Sequence, residues 1–524
     1  MANSDPDGDS GSNSGAHSGS VTLKTREGKL IVSACILASG VGFLMNSAVT
    51  IALPSIQRAL DTTITNVQWI VNAYALALGG LILVSGALGD LFGVRRVFNS
   101  GLAVFAAGSV LSAAAPNVPL LIGARAFQGL GAAFMVPGSL AIITNIFADS
   151  ERGTVIGLWA GVSGAIAALG PFIGGFLAEI SWRFVFLAMT PLALAALTVS
   201  ILFVPRLAGQ RGRRLDWPGA ALAFAALFGL SFSLIRASED VFGTVSWAML
   251  IGGTASLPAF FLVEARAKDP VVPFAMFTRQ VGGANLATLF IYFSFSGTLF
   301  LLSFYLQQLL GYRATAAGLA VLPTTILITV FSGPSGAVTD RRGPRFQMIA
   351  GPAIVSVAIA VLATNGVQTH YLSRILPGVV LLGVGIVLII PSITTSALNV
   401  PRHFSGTASG VNNAIARVSG LLAVAVVGTV VTVGFVRDLA PALEALSLPD
   451  GAREAVLANA DRLLAMELPP GLSDTQRTAV TEALENAFVA AYRRGMLINL
   501  LAAASGVVVG FASIPKQPPS PRDR

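Results

Sequence analysis

Charge is what this sequence has least of. Of its 524 residues only 11% are Asp, Glu, Lys or Arg, against roughly 25% in a soluble globular chain. Meanwhile 54% are hydrophobic and the mean hydropathy is +0.76. A water-soluble fold of this length has too little interior to hide so much apolar side chain, so most of the chain must lie in lipid. Cysteine is nearly absent: Cys35 stands alone, which excludes an intramolecular disulfide. The histidines His17, His370 and His403 lie far apart, which argues against a histidine-built metal centre, and neither metal nor cofactor is expected. No G-x(4)-G-K-[ST] occurs, so a pump driven by its own ATPase is unsupported; no HExxH or serine-hydrolase signature points to an enzyme. The formal net charge is +8, but the basic residues come one to four at a time between apolar runs, with no continuous basic face to bind nucleic acid.

What is there is a succession of apolar segments. Residues 1–29 open with MANSDPDGDSGSNSGAHSGS, polar and rich in Ser and Gly, and read as a disordered tail with no secretory signal. Runs follow at 30–53, 69–89, 97–115, 120–146, 154–178 and 184–204, then at 218–235, 247–264, 283–308, 314–337, 346–364, 375–397, 408–435 and 493–514. Each approaches the ~20 residues a helix needs to cross a bilayer. They lack the alternation of barrel strands, so the expectation is an all-α membrane protein of about fourteen helices. With the N-terminus inside, the inside loops carry about twenty basic residues, among them Lys24, Arg26, Lys29, Arg95, Arg96, Arg206, Arg211, Arg341 and Arg342; the outside turns carry about five, Arg58, Arg183, Arg236, Arg313 and Arg374. That bias places both ends in the cytoplasm of the plasma (inner) membrane. The long loop at 437–492 then falls outside. It reads as short amphipathic helices with Val480, Leu484, Phe488 and Ala491 on one face and a capping box from Ser473 to Gln476.

One charged turn is written twice. GALGDLFGVRR begins at Gly86 and GAVTDRRGPRF at Gly336, and both fit G-x-[LV]-x-D-x-x-G-x-R through Gly86, Asp90, Gly93, Arg95 and Gly336, Asp340, Gly343, Arg345. A second echo, GTVIG at Gly153 and GTASG at Gly406, lies at nearly the same offset downstream. The chain is therefore two related halves, a common plan for secondary transporters that enclose a site at the membrane midplane. The turns suit a latch: glycines allow a tight reversal, the aspartate accepts hydrogen bonds, and the arginines hold the headgroups, so a charge contact can form in one state of a rocking bundle and break in the other.

These turns resemble the loop motif after the second helix of each half in the major facilitator superfamily, and the likeness covers nearly the whole chain after residue 30. LIGARAFQGLGAA, Leu121 to Ala133, is similar to that family's fourth-helix motif, whose arginine and glutamine face the central cavity; here these are Arg125 and Gln128. GPFIGG, with Gly170, Pro171, Gly174 and Gly175, is similar to the fifth-helix signature of antiporters, where small residues let helices close and proline bends one. Two extra helices between the halves, together with SWRFVF, DPVVPF, YLQQLLGY and SGVNNAIARVSG, resemble the fourteen-helix drug:proton antiporter (EmrB/QacA-like) branch. The resemblance implies a six-helix half at 30–204, a basic linker at 205–217, two extra helices at 218–264, a second six-helix half at 283–514 and a tail at 515–524. It implies no enzyme activity, and outward transport of a small lipophilic molecule or lipid.

The buried polar residues name the candidate site. Arg125 and Arg417 fall inside apolar helices, where each costs about 2.5–3.5 kcal/mol unless it meets a cavity or partner. Asn46, Asn72, Asn412 and Asn413 are polar enough to line the same cavity or to join helices, and Tyr292 and Phe293 belong to an aromatic ninth helix with Phe290, Phe295, Phe300 and Phe304. In the branch it resembles, the first helix usually carries an aspartate, in a pattern like LDxTIVNVALP, associated with protons and cationic substrates. This chain reads LMNSAVTIALP, with Met45 at that position. No Asp or Glu falls at a helix midplane; Asp90, Glu179, Glu264 and Asp340 lie near helix ends, and Glu179 is the remaining candidate for proton coupling. A cavity whose fixed charge is positive favours an anionic, zwitterionic or neutral amphiphile. The competing expectations are a proton-coupled multidrug antiporter for cations and, from another class, a membrane receptor or regulator.

Overall fold

A computed structural model describes residues 21–147, 149–206, 217–236, 243–266, 276–401, 405–449 and 451–515. Most of the expected tails and of the basic linker, and the side chains of Gly86, Asp90 and Asp340, lie outside what is described. All regular elements among the described residues are helical.

The first half holds α1 (Arg26–Ala59), α2 (Ile64–Phe92), α3 (Val94–Ala114), α4 (Val118–Ile146), α5 (Asp149–Ala168), α6 (Gly170–Ile180), α7 (Trp182–Leu187) and α8 (Met189–Phe203). Between the halves stand α9 (Trp217–Arg236) and α10 (Thr244–Arg266). The second half holds α11 (Arg279–Phe304), α12 (Ala314–Arg342), α13 (Arg345–Ala363), α14 (Leu376–Ala397), α15 (Ser405–Glu444), the short α16 (Ala452–Ala458) and α17 (Asp474–Ser513). Among the described residues twelve spans are long and apolar enough to cross a membrane. With α2 and α9, of 29 and 20 residues, they form two six-helix halves plus two extra helices.

Polar residues at the breaks start the helices. Thr25, Thr63, Asn117 and Thr278 each accept a hydrogen bond from a backbone N–H of the first turn, and Ser473 with Gln476 closes the capping box at the head of α17. Three expected segments come out differently. The run at 154–178 is two helices, because Pro171 starts a new one at α6. The run at 184–204 divides at Ala188 into α7 and α8. The segment 437–492 is mostly helix continued from the spans: α15 runs on to Glu444 and α17 begins at Asp474, leaving α16 and a tight turn at Ala460–Ala465 between them. Val480, Leu484, Phe488 and Ala491 are buried on one face of α17.

Both ends of the described chain lie at one end of the bundle, called here the terminal end; the opposite, loop end carries the α1–α2 turn and α16. The halves touch along two seams. Helix α9 covers the seam between α2 and α15. Phe228 and Phe232 pack on Trp69 of α2 at 6.3 and 5.6 Å, and Thr429 of α15 donates to the Leu234 carbonyl at 2.6 Å. The other seam, between the fifth span and α12, carries no such cover.

Candidate functional site

Arg125 sits on α4 with no exposed surface. Its Nε donates to the Ile70 carbonyl at 3.1 Å, one terminal nitrogen donates to Gln128 Oε1, and the guanidinium lies 4.3 Å from the Tyr74 ring centre. Gln128 in turn donates to Ser109 Oγ at 2.7 Å and to the Met45 sulfur at 3.5 Å. The arginine and glutamine of the fourth helix are therefore one unit, held by α2 and α3 rather than presented to open space. Met45 stands in this network where a carboxylate would give Arg125 a counter-charge. The other terminal nitrogen of Arg125 has no partner, and among the described residues no carboxylate pairs with it.

Arg417 on α15 is the opposite case. It is half-buried, and its guanidinium lies 5.0 Å from the centre of the Phe43 ring on α1. Among the described residues it makes no hydrogen bond and no ion pair, so its five N–H donors are uncommitted. Phe43, Asn46 and Thr50 form one stripe of α1: Phe43 meets Arg417, the Thr50 carbonyl accepts from Ser303 at 3.0 Å, and Asn46 between them is exposed. Asn413, one turn before Arg417, is exposed as well. Phe43 of the first half thus meets Arg417 of the second, with the exposed Asn46 and Asn413 about one turn away on their own helices. Tyr292 and Phe293 of α11 are half-buried, and Tyr292 lies within electrostatic reach of Arg417.

Other expected members are placed elsewhere. Asn412 donates to Asn285 Oδ1 at 3.1 Å and Thr288 Oγ1 at 2.8 Å, so it fastens α15 to α11. Asn72 is fully buried, with neither amide atom partnered. Phe300 and Phe304 are buried against each other at 5.1 Å and belong to the core rather than to a binding wall.

The uncovered seam is closed at the loop end and open at the terminal end. At Gly174 an added Cβ would lie 2.4 Å from the Ala48 carbonyl oxygen, and at Gly175 2.3 Å from that of Ala314; Gly318 approaches Pro171 equally closely. Gly170 is likewise pressed on Ser47. Glu179, expected near a helix end, bridges the halves here: one oxygen accepts from Thr315 N–H at 3.1 Å and the other pairs with Arg313 at 3.3 Å. Gln307 and Gln308, within a widened turn at Tyr305–Leu309, donate to the Ile51 carbonyl at 2.7 Å and to Gln57 at 2.8 Å. The spacing of YLQQLLGY gave no hint of that role. Towards the terminal end, a Cβ added at Gly157, Gly161 or Gly164 of α5 or at Gly333 of α12 would meet no atom of another element within 4 Å among the described residues, and Leu158, Val162, Val330 and Phe331 are exposed. Every hydrogen bond between the two halves among the described residues lies towards the loop end.

The paired turns show their kinship in detail. Gly93 and Gly343 end α2 and α12 with φ of 91° and 76°, the left-handed region that favours glycine. Arg95 donates to the Ile201 carbonyl of α8 at 2.6 Å, and Arg345 donates to that of Ile514 after α17. Each arginine caps the last helix of its own half, where the helix dipole favours a cation. Both of these arginine contacts stay within their own half.

The sequence profile of the Major Facilitator Superfamily matches residues 35–424. The chain belongs to that superfamily and is a secondary transporter. It is 35% identical over 396 residues to a puromycin resistance protein of Streptomyces alboniger, spanning 74% of this chain and 79% of that one. It is also 35% identical over 426 residues to a cephamycin export protein of Amycolatopsis lactamdurans, spanning 78% and 87%. Among solved structures it resembles a bacterial homologue of the human lysosomal transporter Spinster, in an inward-facing, unoccupied conformation. The TM-score there is 0.66 at 15% identity, covering 95% of this chain and 99% of that one.

Proposed function

We propose that this superfamily member exports a lipophilic small molecule or lipid whose head is anionic, zwitterionic or neutral, by alternating access. Arg417 carries the reading. A half-buried guanidinium with no carboxylate partner gives the space between the halves a fixed positive charge, and a carboxylate, phosphate or enolate can be held there bidentately while its apolar body lies along Phe43 and Phe293. Outward direction is supported by the names of the relatives, one a resistance protein and one an export protein. The basic residues of the terminal end support an orientation with both termini in the cytoplasm of the plasma membrane. In that orientation the open end faces the cell interior, where an exporter loads.

Glu179 supports a second reading, proton-coupled antiport of cations. Its ion pair with Arg313 joins the halves at the loop end, so opening that end frees the carboxylate to take a proton from outside.

Proteoliposomes with an imposed pH gradient separate the two. One cationic dye, one anionic amphiphile and one labelled lipid are offered to the unmodified protein and to Arg417→Ala. Transport of the anion or lipid, weakened about tenfold or more by loss of a charge-assisted contact, supports the first reading. Strong export of a permanently cationic dye, unaffected by Arg417→Ala, overturns it in favour of the second.

A further inference from the structure

Among the described residues only two that are not glycine adopt a left-handed backbone, Asp61 with φ of 46° and Leu463 with φ of 56°. They belong to different halves, and they meet at one point. Arg462, next to Leu463, pairs through its guanidinium with Asp61, across 401 residues of sequence. The Arg462 carbonyl accepts a hydrogen bond from Gln57 of α1 at 3.1 Å, and Gln57 also accepts from Gln308 of the second half at 2.8 Å. Leu463 is 1% exposed, and Val456, Ala460 and Met466 beside it are buried in the main core. The segment that carries these residues is tethered at both ends to second-half helices, α15 and α17. It therefore reaches from one half and grips the end of the first helix of the other.

A left-handed backbone is unfavourable for an ordinary side chain and persists where its surroundings over-determine it. Here the surroundings are the core that holds Leu463 and the ion pair that holds Asp61. Such a grip is consistent only with a closed loop end: when the halves rock apart there, α1 moves away from the segment and the pair must separate. We infer that residues 452–466 form a strap that fastens the loop end shut in this state, with Asp61 as its catch and its two strained residues poised to relax on release. The inference rests on the alternating-access reading above. It adds a conformational part at the loop end, opposite the end that carries the paired turns.

The test is a distance measured between the halves at the loop end. Spin labels are attached at Ala59→Cys and Ser373→Cys, both exposed there; the native Cys35 is buried. Full-length protein in lipid nanodiscs should show mainly the short distance. Asparagine tolerates a left-handed backbone, so Asp61→Asn removes the charge while keeping the turn; Arg462→Gln does the same from the other side. Each should raise the ratio of long to short distances by roughly two- to fivefold, the range of an exposed ion pair. The double variant, Asp61→Asn with Arg462→Gln, should open no further than either single one, because both break the same pair. Unchanged distances in the single variants, or a double variant whose effect is the product of the two, would overturn the strap. Because the readout is geometry, a strap that responds as expected in a protein that carries none of the offered substrates would count against the proposed function alone.

Discussion

The arginine of each half's membrane interior meets a different fate. Arg125 is wholly enclosed and spends its donors on Ile70, Gln128 and the Tyr74 face; Arg417 lies over Phe43 with its donors free. A desolvated cation bonded mainly within the protein stabilises a particular packing of helices, whereas one left open offers its charge to whatever enters. On the proposed reading the same residue type scaffolds one half and receives the substrate in the other, so the pseudo-symmetry of the repeats does not extend to these two side chains.

The largest effect that sharpens this contrast is on stability. Arg125→Ala orphans Gln128 Oε1 and leaves a void beneath Tyr74, so thermal unfolding in detergent should show a loss of about 2–4 kcal/mol. Arg417→Ala, with no partners to orphan, should stay within about 0.5 kcal/mol of the parent. Equal losses for the two would erase the distinction. Met45→Asp comes next, because it tries to make the first half resemble its cationic relatives. The new carboxylate would sit against Gln128 and beside Arg125, and export of a cationic dye should rise about tenfold, the equivalent of about 1.4 kcal/mol. If cation transport does not move, the first helix does not set charge selectivity. The smallest effect concerns the turns. Asp90→Asn should slow the initial transport rate by roughly two- to fivefold at normal expression, the range that loss of a single ion pair spans, and Asp340→Asn should slow it less. Wild-type rates in both would make the turns purely structural.

The repeated turns, the capping box and the two-half plan were legible because their causes are local or periodic. A glycine at 93 or 343 is needed where the backbone turns left-handed, and Ser473 with Gln476 caps a helix whatever lies beyond it. Arg417 could be suspected for the same reason, as a cation inside an apolar run. What could not be read was company. Nothing near Met45 in sequence says that it touches Gln128, and nothing near Arg462 says that it finds Asp61, because both depend on which helices the fold brings side by side. Apolar helices in lipid choose neighbours by fit between small residues, and that fit is spread over many positions. The small residues and the proline of GPFIGG announced close packing and a bend, but not that the glycines there press on α1 and α12.

Helix α9 has a mechanical consequence. Its phenylalanines are bedded on α2 while Leu234 holds α15, so a single rod is fixed to both covers of the molecule along one edge. A bundle bound in this way moves like a book: the spine stays put, the covers swing, and the pages part along the free edge. The free edge here is the seam of α5 and α12, so a guest dissolved in the bilayer would meet the opening from one compass direction only.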